Sequence, residues 1–314
     1  MKKKNYVCVL TVMILLLAAC GTPSVGPGMT EPQGPRADLP LAEVYTVLSD
    51  DYCRSLADLG IDVPRDVIHE GLAPESFERP VGEKKTYRTE RRSFELSYAS
   101  TFTYDFEGGA VDYYHINGTE NGRIGFFKDG RLSKLYGHPD LKVEIGDGEM
   151  PEKAQDIVAK ELDDMVVFSN YSQVRCHQTP TGRYEFTLLG MHNGHLMDFA
   201  RVWVGANGVV EHITVIYGPE DGTEILDKVD EKLVEDLIKS KAESLLNTET
   251  TELRSYHISD ETTDGTVFGR FLTTYQDEVC LRYSVQGDVY VASEERECSV
   301  SMDVVIPVRL VTKE

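Results

Sequence analysis

Two histidines stand either side of a tight turn in Met191-His192-Asn193-Gly194-His195. Residues flanking a two-residue hairpin lie opposite each other, so both imidazoles could reach one metal ion, with Glu185 or Asp198 as a third ligand. The pattern is HxxH in a turn and lacks the glutamate of HExxH, so two solvated histidines at a hairpin mouth fit the same residues. His177 follows Cys176 directly. Adjacent strand residues point to opposite faces, which keeps thiol and imidazole apart unless the strand is bulged. Paired carboxylates (Asp50-Asp51, Asp163-Asp164, Glu220-Asp221, Glu294-Glu295) are what chance supplies among 53 acids in 314 residues. There is no Gly-x-Ser-x-Gly elbow and no GxxxxGK[ST] loop. No catalytic set and no cofactor is assigned, and His192 and His195 are the weak metal candidates. Tyr113, Tyr114, Tyr136, Trp203 and Tyr217 suggest another chemistry, a stacking surface for sugars or peptides. Against it stands the habit of strand aromatics to be core.

Of six cysteines, Cys53, Cys176, Cys280 and Cys298 belong to the body of the chain. Four cysteines allow three pairings. Cys280 and Cys298 are nearest in sequence and flank the last hairpin region, so a bond between them is the favoured expectation, with free thiols as the alternative. No CxxC is present, which argues against thiol exchange chemistry.

The elements that would carry these residues follow from periodicity. Leu41, Val44, Tyr45, Leu48, Tyr52 and Leu56 recur at three- and four-residue steps and predict partly helical structure. From Tyr87 the period falls to two. Phe94, Leu96 and Tyr98 alternate, and Asn121-Gly122 and Asp129-Gly130 read as hairpin turns of an antiparallel meander. Ala154, Ile157, Val158, Leu162 and Met165 then form one helical stripe opened by Pro151. Strands at about 171–177, 183–189, 196–204 and 209–217 follow, with turns at Asn193-Gly194 and Asn207-Gly208. A second stripe, Val229, Leu233, Leu237, Ala242 and Leu245, precedes strands at about 252–258, 266–275, 278–285, 289–293 and 302–311. Gln286-Gly287-Asp288 reads as a turn, and Pro307 marks an edge or bulged strand.

The expected class is α+β. A helix packs on an antiparallel sheet, repeated at 148–222 and 223–314, behind a strand-rich region with a leading helix at 41–147. The helix from Pro151 to Met165, the Asn193-Gly194 hairpin and the Val202-Trp203-Val204…Asn207-Gly208-Val209-Val210 pair resemble PepSY-like and cystatin-like modules of bacterial exported proteins. That resemblance implies an inhibitory, sensing or binding domain and not an enzyme.

The first twenty residues concern location. Lys2-Lys3-Lys4 precedes an uncharged run from Tyr6 to Ala19, about fourteen residues where a spanning helix needs roughly 20. The run ends in Leu17-Ala18-Ala19-Cys20-Gly21, which resembles the lipobox of bacterial lipoprotein precursors. The resemblance implies a signal peptide at 1–19, cleavage before Cys20, and diacylglyceryl attachment to its sulfur. Each buried methylene is worth ~0.8 kcal/mol, so two or three chains anchor firmly. Residues 20–40, rich in Pro, Gly, Ser and Thr, read as a tether. Removing Lys2, Lys3 and Lys4 from 32 basic residues leaves 29 against 53 acidic, a mature net charge of −24. Such a body is repelled by nucleic acid and anionic headgroups, so the acyl chains on Cys20 must supply the membrane contact.

The sequence therefore reads as a lipid-anchored protein on the exported side of a bacterial membrane. Its role is that of a binding or regulatory module for a peptide, a glycan or an envelope protein. A lipid-anchored hydrolase or metal-dependent enzyme is the alternative. Replacing Cys20 with Ala is expected to release the protein or stall it uncut. A C20A chain that fractionates and migrates like the wild type refutes the lipobox reading.

Overall fold

The computed structural model describes residues 39–313, apart from 59, 62–67, 71–73, 105, 107–108, 139, 147–148 and 260–268. The leader, Cys20 and almost all of the tether lie outside the described residues. Among the described residues no helix is long and apolar enough to cross a membrane.

In chain order the elements are β1 (Tyr45–Ser49), α1 (Asp50–Asp58), β2 (Ile68–Glu70), β3 (Glu75–Ser76), β4 (Lys84–Arg88), β5 (Ser93–Thr103), β6 (Ala110–Ile116), β7 (Arg123–Phe127) and β8 (Leu132–Tyr136). Then come α2 (Pro151–Glu161), β9 (Gln173–Gln178), β10 (Tyr184–His192), β11 (His195–Val204) and β12 (Val210–Ile216). The chain closes with α3 (Gly222–Leu226), α4 (Glu231–Leu246), β13 (Thr251–Ile258), β14 (Arg270–Tyr275), β15 (Glu278–Val291) and β16 (Arg296–Pro307). The fold is mixed α+β, with helices packed against one large, mostly antiparallel sheet.

The sheet has two halves. In the first, β9, β10, β11, β12, β8, β7, β6 and β5 lie side by side, and β4 and β3 both pair with the far edge of β5. In the second, β15 pairs with β16 along its whole length and β16 pairs with β1. The halves meet where Leu196 of β11 bridges Phe271 of β14.

Each half buries one helix stripe. Pro151 begins α2, where its missing N–H costs nothing. Ala154, Val158 and Leu162, four residues apart, are buried against Phe186, Val202 and Ile213 in one core. The far end of α2 is held by the β4–β5 turn. Arg92 pairs with Asp164 and donates to the Glu161 carbonyl, and Arg91 donates to the Lys160 carbonyl. Two guanidinium groups thus satisfy carbonyls that the helix itself leaves open. The Asp230 side chain caps α4 by accepting from the Leu233 N–H. Val234, Leu237, Ile238, Ala242 and Leu245 bury against Tyr283, Val285 and Val304 in a second core.

Several expectations are corrected. The 41–58 segment is helical in part, as expected, but Tyr45–Ser49 within it is a strand beside β16, and the α-helix is confined to Asp50–Asp58. Val44 and Leu48 face the α4 core while Val47 faces the other side of the sheet, so this strand is apolar on both faces and mimics a helical step. Residues 278–291 form one strand, and Gln286-Gly287-Asp288 is no turn. A Cβ on Gly287 would stand 2.9 Å from Leu246 Cδ1 and 3.1 Å from Leu253 Cδ1, so this glycine admits the helix to the sheet. The turn that ends this strand falls instead at 292–295, with Glu295 at positive φ. β13 and β14 lie end to end along one side of β15, so the second half is not a four-stranded meander. Pro307 closes a central strand and marks no edge.

All the longer helices lie on one face of the sheet. On the opposite, helix-free face, Phe106 in the β5–β6 loop stacks on Tyr275 of β14, ring centres 5.0 Å apart. Six strand spacings separate β5 from β14, about 29 Å if flat, and three residues beyond Thr103 reach at most about 10 Å. The sheet therefore coils towards its helix-free face.

Gly287→Val is expected to cost about 1–3 kcal/mol through overpacking beneath α4. Urea unfolding checks it, and an unchanged midpoint would show that Leu246 and Leu253 yield freely.

Candidate functional site

The hairpin of β10 and β11 forms as expected, with Asn193 and Gly194 both at positive φ and His192 directly opposite His195. The two imidazoles nevertheless diverge. His195 is fully buried, and its Nδ1–H donates to the Asn193 carbonyl at 3.0 Å, because a carbonyl can only accept. Its Nε2 accepts from the Tyr283 hydroxyl at 2.8 Å. Burial pushes its pKa down and holds the ring neutral. His192 stays at the surface, with Nε2 2.8 Å from Asp227 Oδ1, which also accepts from Asn193 Nδ2 at 2.9 Å. Those two hydrogen bonds, His192 first, hold the Asp227 carboxyl below its usual range. Asp198 accepts from the Gly218 N–H, and Glu185, far along β10, pairs with Arg183. Neither turns towards the histidines. Among the described residues no three His, Cys, Asp or Glu side chains converge as a metal set.

Beside this hairpin lies a crevice of about 460 Å³, lined by Asn193, Leu226, Asp227, Val229, Glu231, Glu235 and Arg270. It brings three carboxylates to one guanidinium. His192 touches it through Asp227.

The cysteine expectation is overturned by register. Cys280 pairs with Pro307 and Cys298 with Val289. They sit nine residues apart along the β15–β16 ladder, about 30 Å at the strand rise. Cys53, Cys176, Cys280 and Cys298 are all free thiols. Burial pushes Cys280 up to about 12 and Cys176 up to about 11, so neither is primed as a nucleophile. Cys176 packs beneath α2 while His177 is exposed on the other face, the separation that strand alternation requires.

The aromatic candidates divide. Tyr114 belongs to the α2 core. Tyr113, Tyr136 and Trp203 stand on the helix-free face, while Tyr217 packs against both the α2 core and the cluster of Tyr113 and Phe127. Register builds a row there: His177, Glu185, Trp203, His212, Tyr136, Arg123, His115, Ser97 and Lys84 lie side by side across nine strands. At its centre the rings form a ladder. Arg183 lies 4.6 Å from the Trp203 ring, Trp203 4.8 Å from His212, and His212 4.7 Å from Tyr136. Such contacts are each worth roughly 0.5–1.5 kcal/mol. The neighbouring row contains Arg175, Thr187, Arg201, Thr214 and Lys134. On a chain rich in acids this face carries Arg175, Arg201, Lys134 and Arg123 and, within the two rows, one acid, Glu185. Arg201 was invisible as a site residue in the sequence. Its only signal there was alternation with the apolar Ala200, Val202 and Val204.

No family model, curated protein or solved structure matches the chain.

Burial, and then the charges of Arg201 and Lys134, push the His212 pKa down to about 4. The unfolded chain binds a proton on this ring near pH 6.5, where the folded chain does not. Stability from the neutral ring is therefore full above that pH and is lost as pH falls towards about 4. His212→Gln is expected to flatten this part of the stability profile. Urea midpoints measured from pH 7 to 4 decide it: wild-type and H212Q curves running parallel would contradict the shift.

Proposed function

We propose that this chain is a lipid-anchored, exported binding or regulatory module, held at a bacterial membrane through Cys20, with a non-enzymatic role. The observation that carries the binding role is the helix-free face, where cations and half-buried aromatic rings gather on a strongly acidic protein. Surface patches that reverse the composition of the rest are the usual mark of a recognition surface. The Leu17-Ala18-Ala19-Cys20-Gly21 join supports the anchor, and the residues after it supply a tether that lifts the body off the lipid.

The helix-plus-sheet units at 148–222 and 223–314 are read as degenerate copies of a PepSY-like module behind a strand-rich N-terminal region. The shared order of helix, then strands, supports that reading. The end-to-end placement of β13 and β14 is where the second copy departs from the first.

The test uses the full mature chain in detergent, immobilised and exposed to envelope extract. Material retained by the wild type and lost from an Arg201→Glu, Lys134→Glu variant is the expected result. Equal retention by both, together with substrate turnover abolished by His192→Ala, would replace the binding role with the enzymatic alternative.

A further inference from the structure

The centre of β11 gathers cations, hydroxyls and a ring on the helix-free face. Arg201 lies between Thr187 of β10 and Thr214 of β12, with Lys134 of β8 one strand further on. Trp203, two residues along, stands in the ring ladder. Arg201 contacts the Phe199 ring at 5.4 Å and makes no ion pair among the described residues. The Thr187 hydroxyl and the Trp203 indole N–H likewise have no hydrogen-bond partner among those residues. Carboxylates are abundant in the chain, yet none among the described residues pairs with Arg201.

We infer that this patch binds a sugar ring bearing an anionic group, a carboxylate or a phosphate, with Arg201 and Lys134 holding the charge and the Trp203 ladder contacting the ring. The inference rests on the binding-module reading and names its ligand. Arg201 and Lys134 start two strand spacings apart, about 10 Å, and both side chains are long enough to converge over Thr214. A guanidinium donates to carboxylate or phosphate through two parallel bonds. A sugar also needs donors for its hydroxyls and an apolar surface for its ring, which Thr187, the indole N–H and the ladder supply. Arg183 covers one face of Trp203, and its Nε is buried without a hydrogen-bond partner. Swinging it aside opens that ring face and lets the orphaned donor find an acceptor. A peptide adding as a strand is disfavoured here, because β11 is already paired on both sides at Arg201. Long polyanions are opposed by the net charge of −21 of the full sequence. A short ligand meets mainly the local field, since charges are screened beyond about 8 Å at physiological salt.

Trp203 is the one tryptophan in the chain, so intrinsic fluorescence reads this patch directly. The full mature chain in detergent is titrated with trigalacturonate and with glucose 6-phosphate, the carboxylate and phosphate sources. Maltotriose and triglutamate serve as the neutral sugar and the acidic peptide. At least one anionic sugar is expected to give a saturable change that weakens with salt, at least about tenfold tighter than maltotriose or triglutamate. Arg201→Gln is expected to weaken it about tenfold or more. Should that variant fail to fold, Lys134→Gln carries the same expectation. The inference is overturned if neither anionic sugar gives a saturable signal, if triglutamate binds as tightly as the sugars, or if removing the charge leaves affinity unchanged. Envelope capture that still depends on this face would then preserve the binding-module reading. Loss of both signals would remove both readings.

Discussion

Ala154, Val158 and Leu162 of α2, and Val234, Leu237, Ile238 and Leu245 of α4, are buried against the same side of one continuous sheet. Each fully buried aliphatic side chain is worth roughly 1.5–3 kcal/mol, and neither helix could hold its stripe in water alone. This one-sided burial sets the rest of the architecture. Every strand crossing the two cores must alternate, with apolar residues under the helices and polar or aromatic residues opposite. β11 shows the requirement most clearly. Ala200, Val202 and Val204 face α2, and Phe199, Arg201 and Trp203 face away. A register shift near Gly190-Met191 lets the same strand serve both halves, sending Met197 into the α4 core and Leu196 to the other side.

The helix-free face is the consequence. With no helix to cover them, its residues satisfy one another locally. Small aromatic clusters form around Tyr113 and Phe127 and around Phe106, Tyr275 and Cys280. The Phe106–Tyr275 stack shows the sheet coiled over this side, which brings distant strands towards a common concavity. Arg282 follows the same logic, with its guanidinium 4.5 Å from the Phe106 ring and paired with Asp303. Arg201 and Trp203 belong to this face as well, the one against the Phe199 ring and the other between Arg183 and His212.

The two halves also differ in how they treat titratable groups. His195 is sealed between Asn193 and Tyr283 and serves the joint between β11 and the α4 core. Asp112 is buried too. Burial raises its pKa, but hydrogen bonds from Lys128 and Thr101 and the charge of Arg79 outweigh that and hold the carboxyl ionised. These side chains fasten the segment before β4 to the sheet. They show why counting paired acids and histidines in sequence said little about chemistry: in both places the group is consumed by packing.

The sequence by itself determined what depends on local order. Pro151 and a four-residue apolar spacing make α2, Asn193-Gly194 makes the central hairpin, and two-residue alternation places Trp203 and Arg201 together on one side of a strand. Backbone preference and side-chain period act within a few residues, so a single stretch of sequence carries them. Whatever depends on which strand lies beside which was decided by tertiary structure. The apolar 44–48 segment became a strand because β16 was there to pair with it. Gly287 lies beneath Leu246 and Leu253 of α4 and β13, and does not turn. His192 and His195, adjacent across a turn, were drawn apart by Asp227 and Tyr283, 35 and 88 residues away. Cys280 and Cys298, neighbours in the chain, were separated along one ladder, because an antiparallel register fixes every pair of residues by its distance from the turn. Trp203, His212 and Tyr136 became a ladder only when β8 settled beside β12, a pairing across 76 residues that no local pattern encodes.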